Sequence, residues 1–367
     1  MSHGEAVRPA DADLRDAGPI HFSVCIPVYN DAALLPIALD GVLAQTYRAW
    51  ELVISDNAST DDVAAVLDRY DDPRIRYVRW ADHVSSYESH NRAVSLGRND
   101  WLVPLGADDR LATECLARLA EAIGKHHGSR GTLALALTAC RRIDPSGESA
   151  DTLYYGRGGA KHVISGTYSA REWLAIGARA GAPPWNIGSV AISRDAMIRS
   201  GSWFRTDVGL SADNELFFRL AAFGDVSYIA EPLLDYMVRS NSDGNRWFAE
   251  NRRRGERETP LGAALVSALA AHASRRPVST PERRAIFGEV ARLHVQRAGH
   301  HRVLPGGRGV RGAALDVLRA VRAAPTFLAH PARLLEATAI VLAPTSVLRW
   351  ASTRTTNRRQ SAASPPR

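Results

Sequence analysis

The stretch WLVPLGADDRL, Trp101–Leu111, decides how the rest of the chain is read. Its apolar run, Trp101–Leu105, stops at Gly106 and Ala107 and delivers two adjacent carboxylates, Asp108 and Asp109. A short apolar run bounded by a glycine has the pattern of a buried strand. Adjacent like charges repel, and a fold gains nothing from setting them at a strand's tip unless a ligand meets them there.

Working outward, the same pattern recurs. HFSVCIPVYN (21–30), WELVISDNAST (50–60) and RIRYVRW (74–80) read as strands, the first two running into polar turns. Apolar residues at helical spacing predict helices over 31–46, 61–72 and 85–97, the last ended by Gly97. Asp56, Asn57, Ser59 and Thr60 are turn and N-cap types. Alternating strands and helices predict an α/β fold, a mostly parallel sheet with helices on both faces. Ligands of such sheets sit beyond the carboxyl ends of the strands. The polar clusters PVYND, SDNASTDD and GADD fall at those ends.

Beyond Leu111 the order is a helix (112–127), a strand (132–140), a glycine-rich segment (154–166) and a Pro-Trp loop leading into a strand (182–197). An amphipathic helix opening on acids (211–225) and the sheet's last strands (226–242) follow. The predicted organisation is a disordered leader over 1–20, a domain over 21–245, a basic helical region over 246–350 and a disordered tail over 351–367. No internal repeat is apparent.

The chain has 367 residues, 45% hydrophobic and 23% charged, enough for a sizeable core. Its net charge of +7 is uneven. Trp247–Arg367 holds 21 arginines against 7 acids, while 1–246 holds 25 basic and 32 acidic groups. A basic, partly apolar segment suits an anionic membrane surface or an acidic partner, and equally a solvated helical face. It lacks the interleaved aromatics of a nucleic-acid binder, so no nucleic acid is expected as partner. Three scattered cysteines form no metal or disulfide pattern and fit a reducing cytoplasm. No signal peptide is read in the polar start. The most apolar late segment, LLEATAIVLAPTSVLRW, is interrupted by Glu336 and Pro344, so no transmembrane helix is expected.

The combination of CIPVYND, QTY, WELVISDNASTDD and WLVPLGADDRL, in this order and spacing, resembles the family 2 glycosyltransferases of the GT-A, Rossmann-like fold over residues 20–115. The resemblance weakens toward residue 245. It implies an inverting glycosyltransferase that moves a sugar from a nucleotide-diphosphate donor, usually with Mn²⁺ or Mg²⁺. Asp108 and Asp109 match the end of the family's acidic metal signature. Pro27, Val28, Tyr29, Asn30 and Asp31 match the loop against the nucleotide, with Tyr29 either stacking or core. Asp56 matches the acid that accepts a hydrogen bond from the base. Asn91 and Arg92 lie near a donor-side motif, although a surface arginine on a helix reads the same way.

The helix start ADNELFFRL resembles the family's acid-rich catalytic motif. Asp213 matches the general base, preferred over Glu215, which is placed with Trp185 and Asn186 on the acceptor side. Two positions depart from the family: Gly106 stands where an aspartate is common, and Arg239 where a metal-binding histidine is common. Arg239 cannot ligate a cation but can pair with a diphosphate, which leaves metal dependence open between Asp109 and Arg239. The resemblance points to cell-surface glycan synthesis on a glycan or lipid-linked acceptor, at the inner face of the membrane. The alternative is a non-catalytic GT-A module that binds nucleotide-sugar or glycan.

Overall fold

The computed structural model describes residues 18–239, apart from 127–131, 145–148, 152–162, 171, 174–175, 177–185, 202 and 207–211. Strand β1 (Phe22–Val28) is the spine. Phe22, Val24, Cys25 and Ile26 are wholly buried, as a strand covered on both faces requires. It pairs in parallel with β2 (Trp50–Asp56) on one side and β4 (Trp101–Pro104) on the other. Phe22 stands level with both Trp50 and Trp101, so the three strands begin together and their polar exits share one edge. β3 (Ile75–Arg79) adds in parallel outside β2.

Ten strands form one sheet, whose main path runs β3-β2-β1-β4-β9-β6-β10-β5. The remaining strands are β5 (Arg110–Leu111), β6 (Leu133–Ile143), β7 (Ser149–Asp151), β8 (Gly166–Tyr168), β9 (Val190–Ser193) and β10 (Asp225–Met237). The sheet is less parallel than expected. β9 enters antiparallel between β4 and β6, and its four residues, VAIS, carry no sign of direction in their pattern. β10 runs parallel to β6 as a single 13-residue strand whose register slips on either side of Pro232. A proline has no amide hydrogen to give a ladder, so the slip falls where a donor is missing.

Helices cover the sheet as the apolar spacing predicts. α1 (Leu35–Leu43) turns Leu35, Ala38, Leu39 and Val42 inward, and α4 (Cys115–His126) turns Cys115, Leu116, Leu119 and Ile123 inward. α3 spans Ser86–Leu96. α2 is shorter than predicted, at Val63–Leu67. Asp62 caps it by accepting from the Ala65 amide at 2.9 Å, but only Val63 is buried. A helix with one buried side chain has too little packing to extend further. α5 (Arg194–Arg199) follows β9, and α6 (Ala212–Leu220) precedes β10. Cys25, Cys115 and Cys140 are buried free thiols. Among the described residues no helix is long and apolar enough to cross a membrane. The expected regions 246–350 and 351–367 lie outside the described residues, as does nearly all of the leader.

The turn from α6 into β10 is tight. A Cβ on Gly224 would lie 2.3 Å from the Thr132 carbonyl oxygen and 2.8 Å from the Ala134 nitrogen, both fixed backbone atoms. Gly224→Ala is expected to destabilise the protein by about 1–3 kcal/mol, the usual range for overpacking, read as a lower midpoint in urea unfolding.

Candidate active site

Three loops and the end of β10 meet at the carboxyl edge. The short pairing of β5 with β10, Leu111 with Leu234 and Arg110 with Asp235, ties the strand end to the acidic loop. Arg239 follows two residues after β10. Its Nε donates to Asp108 at 2.6 Å, and its two terminal nitrogens donate to the two oxygens of Asp31 at 2.9 and 3.0 Å. One guanidinium therefore joins residues from the exits of β1, β4 and β10.

Asp109 points the other way. It is buried and accepts from the Met237 amide at 3.0 Å. Burial, reinforced by the charge of Asp108, pushes its carboxyl well above the usual carboxylate range. Burial also raises Asp108, against the pull of Arg239. A Cβ at Gly106 would sit 2.7 Å from an Asp109 oxygen and 3.2 Å from an Asp108 oxygen, so these two carboxylates would have to turn to admit a third acid.

These residues do not fit a divalent ion as they stand. Donor phosphates and water can supply most of such an ion's ligands, so the fit turns on Asp108 and Asp109, of which Asp109 is turned inward onto the Met237 amide. Among the described residues no group of three or more His, Cys, Asp or Glu side chains is placed to hold one. The position that an ion would take against Asp108 is held by a guanidinium. At ~4 Å and an effective dielectric of about 20, two unit charges interact by roughly 4 kcal/mol, and a divalent ion doubles the repulsion.

The loops after β1 and β2 are clasped to each other. Asn30, at φ 54°, accepts from the Thr60 amide at 2.7 Å and donates its own amide to the Ser59 hydroxyl at 3.1 Å. Asparagine is among the few side chains that tolerate this left-handed conformation. The Ala32 amide donates to Asp61 at 2.8 Å. Pro27 and Val28 lie in β1, Val28 buried, while Tyr29 is 44% exposed and packs on His83 with ring centroids 4.2 Å apart. Of the two readings of Tyr29, the exposed ring is the one found.

Asp56 is fully buried. One of its oxygens accepts from the Ser59 amide at 2.8 Å, and the other from the Tyr77 hydroxyl at 2.7 Å and Arg79 at 3.0 Å. Its carboxylate thus shapes the turn and anchors Arg79 rather than facing a cleft. Arg92 donates to the Asp82 carbonyl and carboxylate at 2.8 and 2.9 Å and lies over the Trp80 ring, so its partners are in the loop after β3. Asn91 exchanges two hydrogen bonds with the backbone of Phe204, both 2.9 Å, and holds that segment to α3.

Phe204 in turn stacks on Tyr87 at a centroid distance of 5.8 Å. The Tyr87 hydroxyl donates to Asp213 at a long 3.4 Å. Asp213 opens α6 and also accepts from the Asn214 amide at 2.8 Å. Burial raises its pKa to about 6, a shift that both hydrogen bonds oppose. Tyr87 and Phe204 were not singled out from sequence, although Tyr87 and Asn91 lie four apart, on one face of α3.

The acceptor-side expectations separate. Trp185 lies outside the described residues. Asn186 caps a single 3₁₀ turn (Ile187–Ser189), accepting from the Gly188 amide at 3.2 Å. Glu215 is fully buried and bound by Arg219 at 3.0 Å. It belongs to the packing of α6 rather than to a surface that an acceptor reaches.

Residues 23–129 match the family model described as Glycosyl transferase family 2. The fold and this match agree in likening residues 23–129 to the family 2 glycosyltransferases. A PGL/p-HBAD biosynthesis glycosyltransferase of Mycobacterium bovis is 41% identical over 112 residues, covering 29% of this chain and 43% of the relative. The chain thus spans less than half the length of that curated relative. A Mycobacterium tuberculosis protein described as uncharacterized is 26% identical over 81% of this chain and 93% of its own length. Among solved structures, S. aureus TarS 1–349 in complex with UDP superposes with a TM-score of 0.58 at 14% identity, covering 92% of each chain. That likeness is one of GT-A fold.

The matched segment holds Asp31, Asp56, Asp108 and Asp109, whereas Asp213 and Arg239 lie beyond it. Within α6, Arg219 also donates to the Ser200 hydroxyl at 2.7 Å and the Trp203 carbonyl at 2.8 Å. Arg219→Met, which leaves the Glu215 charge buried without its partner, is expected to cost about 3–5 kcal/mol, and Glu215→Leu combined with Arg219→Met to recover most of it. Denaturant midpoints of the two variants check this.

Proposed function

We propose that the chain transfers a sugar from a nucleoside-diphosphate donor to a hydroxyl acceptor, with inversion at the anomeric carbon and Asp213 as general base. The observation that carries this reading is the Asp213 carboxyl at the start of α6, raised to about 6 by burial. A general base works best with a pKa near the operating pH, and an ordinary surface aspartate is too weak. Asp213 takes the proton of the acceptor hydroxyl as its oxygen attacks the anomeric carbon and the bond to the diphosphate breaks. Tyr87 holds the carboxylate in place through its hydroxyl.

On the donor side, Asp31, Asp108 and Arg239 form a charged rim, and exposed Tyr29 offers a ring for the nucleotide base. The loops joined through Asn30 and Thr60 give that rim a fixed floor. The UDP carried by the TarS structure of like fold makes a uridine donor the first to try. The arginine-rich stretch Trp247–Arg367 supports a glycan or lipid-linked acceptor met at the inner membrane face.

Asp213→Asn is expected to lower kcat by roughly 10²–10⁴-fold, the share that a general base supplies, while nucleotide binding by calorimetry stays within error of wild type. In wild type kcat/KM rises with pH through about 6, because only the ionised carboxylate accepts a proton. Tyr87→Phe removes a donor that favours the ionised form. The rising limb therefore moves to higher pH, read from the pH profile of transfer from a labelled nucleotide sugar. Retention of full turnover by Asp213→Asn overturns the assignment of the base.

A further inference from the structure

We propose that Arg239 is a built-in cation that takes the part of a divalent metal in holding the donor's diphosphate, so that donor binding needs no metal ion. This rests on the nucleotide-sugar reading above and adds to it how the leaving group's charge is met.

The first support is position. β10 is fixed close to its end by three separate contacts: pairing with β5, the Met237 amide on Asp109 at 3.0 Å, and the Val238 amide on the Ile143 carbonyl at 2.9 Å. Arg239 leaves the sheet immediately afterwards, so its side chain starts from an anchored backbone. The second is geometry. The guanidinium takes both oxygens of Asp31 and one of Asp108, all within 3.0 Å, and is 19% exposed. It is set on carboxylates from two loops, as a bound ion would be, and is still reached from solvent.

The third is supply. Gly106 brings no side chain to the loop beside Asp108 and Asp109, which limits the oxygen ligands that the loop offers. The fourth is chemistry. A guanidinium stays charged at any working pH, its planar fork matches phosphate oxygens, and no chelator removes it. A diphosphate arriving at Asp31 and Asp108 without that charge would meet two carboxylates; the guanidinium offsets one of them. A latch that only ties loops together accounts for the same contacts, but it leaves nucleotide affinity unchanged when the latch is removed from a folded chain.

The test uses the full chain, stripped with EDTA, and titrates UDP, GDP and dTDP by calorimetry in chelator and again with Mn²⁺. Wild type is expected to bind at least one nucleotide with Kd values in the two conditions within about threefold of each other, less than 1 kcal/mol. Arg239→Ala is expected to lose about tenfold or more in affinity, the loss of a charge-assisted pair, with no recovery on adding Mn²⁺. Arg239→His, which restores an imidazole able to ligate metal, is expected to bind only when Mn²⁺ is present. Arg239→Lys keeps a charge without the fork and is expected to bind more weakly than wild type, still in chelator. Circular dichroism melts establish that each variant is folded.

Wild-type binding that disappears in chelator and returns with Mn²⁺ overturns the inference and leaves the transferase reading standing. So does binding by folded Arg239→Ala at wild-type affinity. Failure of all three nucleotides to bind in either condition overturns both.

Discussion

The constraint on which the molecule rests is the level start of β1, β2 and β4. With Phe22 opposite both Trp50 and Trp101, three strands rise in parallel from one line, and whatever follows each of them arrives at one edge. A one-residue slip in any of the three would turn its alternating side chains to the other face. The buried faces forbid this, since Phe22, Leu52, Ile54, Val103 and their neighbours share one core. The gathering of Asp31 and Asp108 at a common rim, with Asp56 buried beneath it, is therefore a consequence of apolar packing below, rather than of any attraction among the acids.

Once gathered, the acids are sorted by what surrounds them. Asp56 is neutralised in place by Tyr77 and Arg79 and supports its loop from beneath. Asp109 is turned inward onto a backbone amide. Asp31 and Asp108 remain at the rim, sharing a cation. Asp213, held by the Tyr87 hydroxyl and by Asn214, keeps a raised affinity for protons. The same carboxylate side chain thus serves as strut, buried acid, charged rim and proton acceptor, and burial and the nearest donor decide which.

The first half of the sheet was legible because parallel buried strands leave an unmistakable mark: short apolar runs such as VCIPV and ELVIS, each released into polar turns. The helices α1, α3 and α4 were legible from their apolar spacing. The direction of β9 was not, since a four-residue apolar run reads alike both ways. The length of α2 was not, because propensity extends a helix that packing does not hold. Within the site, the identities of the acids were readable but their partners were not. That Asp56 faces Tyr77, or that Glu215 faces Arg219 in the core, depends on which side of an element each residue takes in three dimensions. A motif match fixes where an acid stands in the chain, and says little about whether it ends in solvent or in the interior.

The strand order has a further consequence at its β3 end. β3 closes the main path on that side, and an outermost strand presents unpaired amides and carbonyls that invite another chain to add on. Here the strand carries Arg76 and Arg79 among its five residues, with Arg76 directed to Glu51 at 3.6 Å and Arg79 to Asp56. A neighbouring molecule that tried to extend the sheet would have to bring its own backbone up to this pair of guanidinium groups. The ion pairs that brace the second strand's loop also set two positive charges along the sheet's border, one of the features by which outermost strands discourage a further strand from adding on.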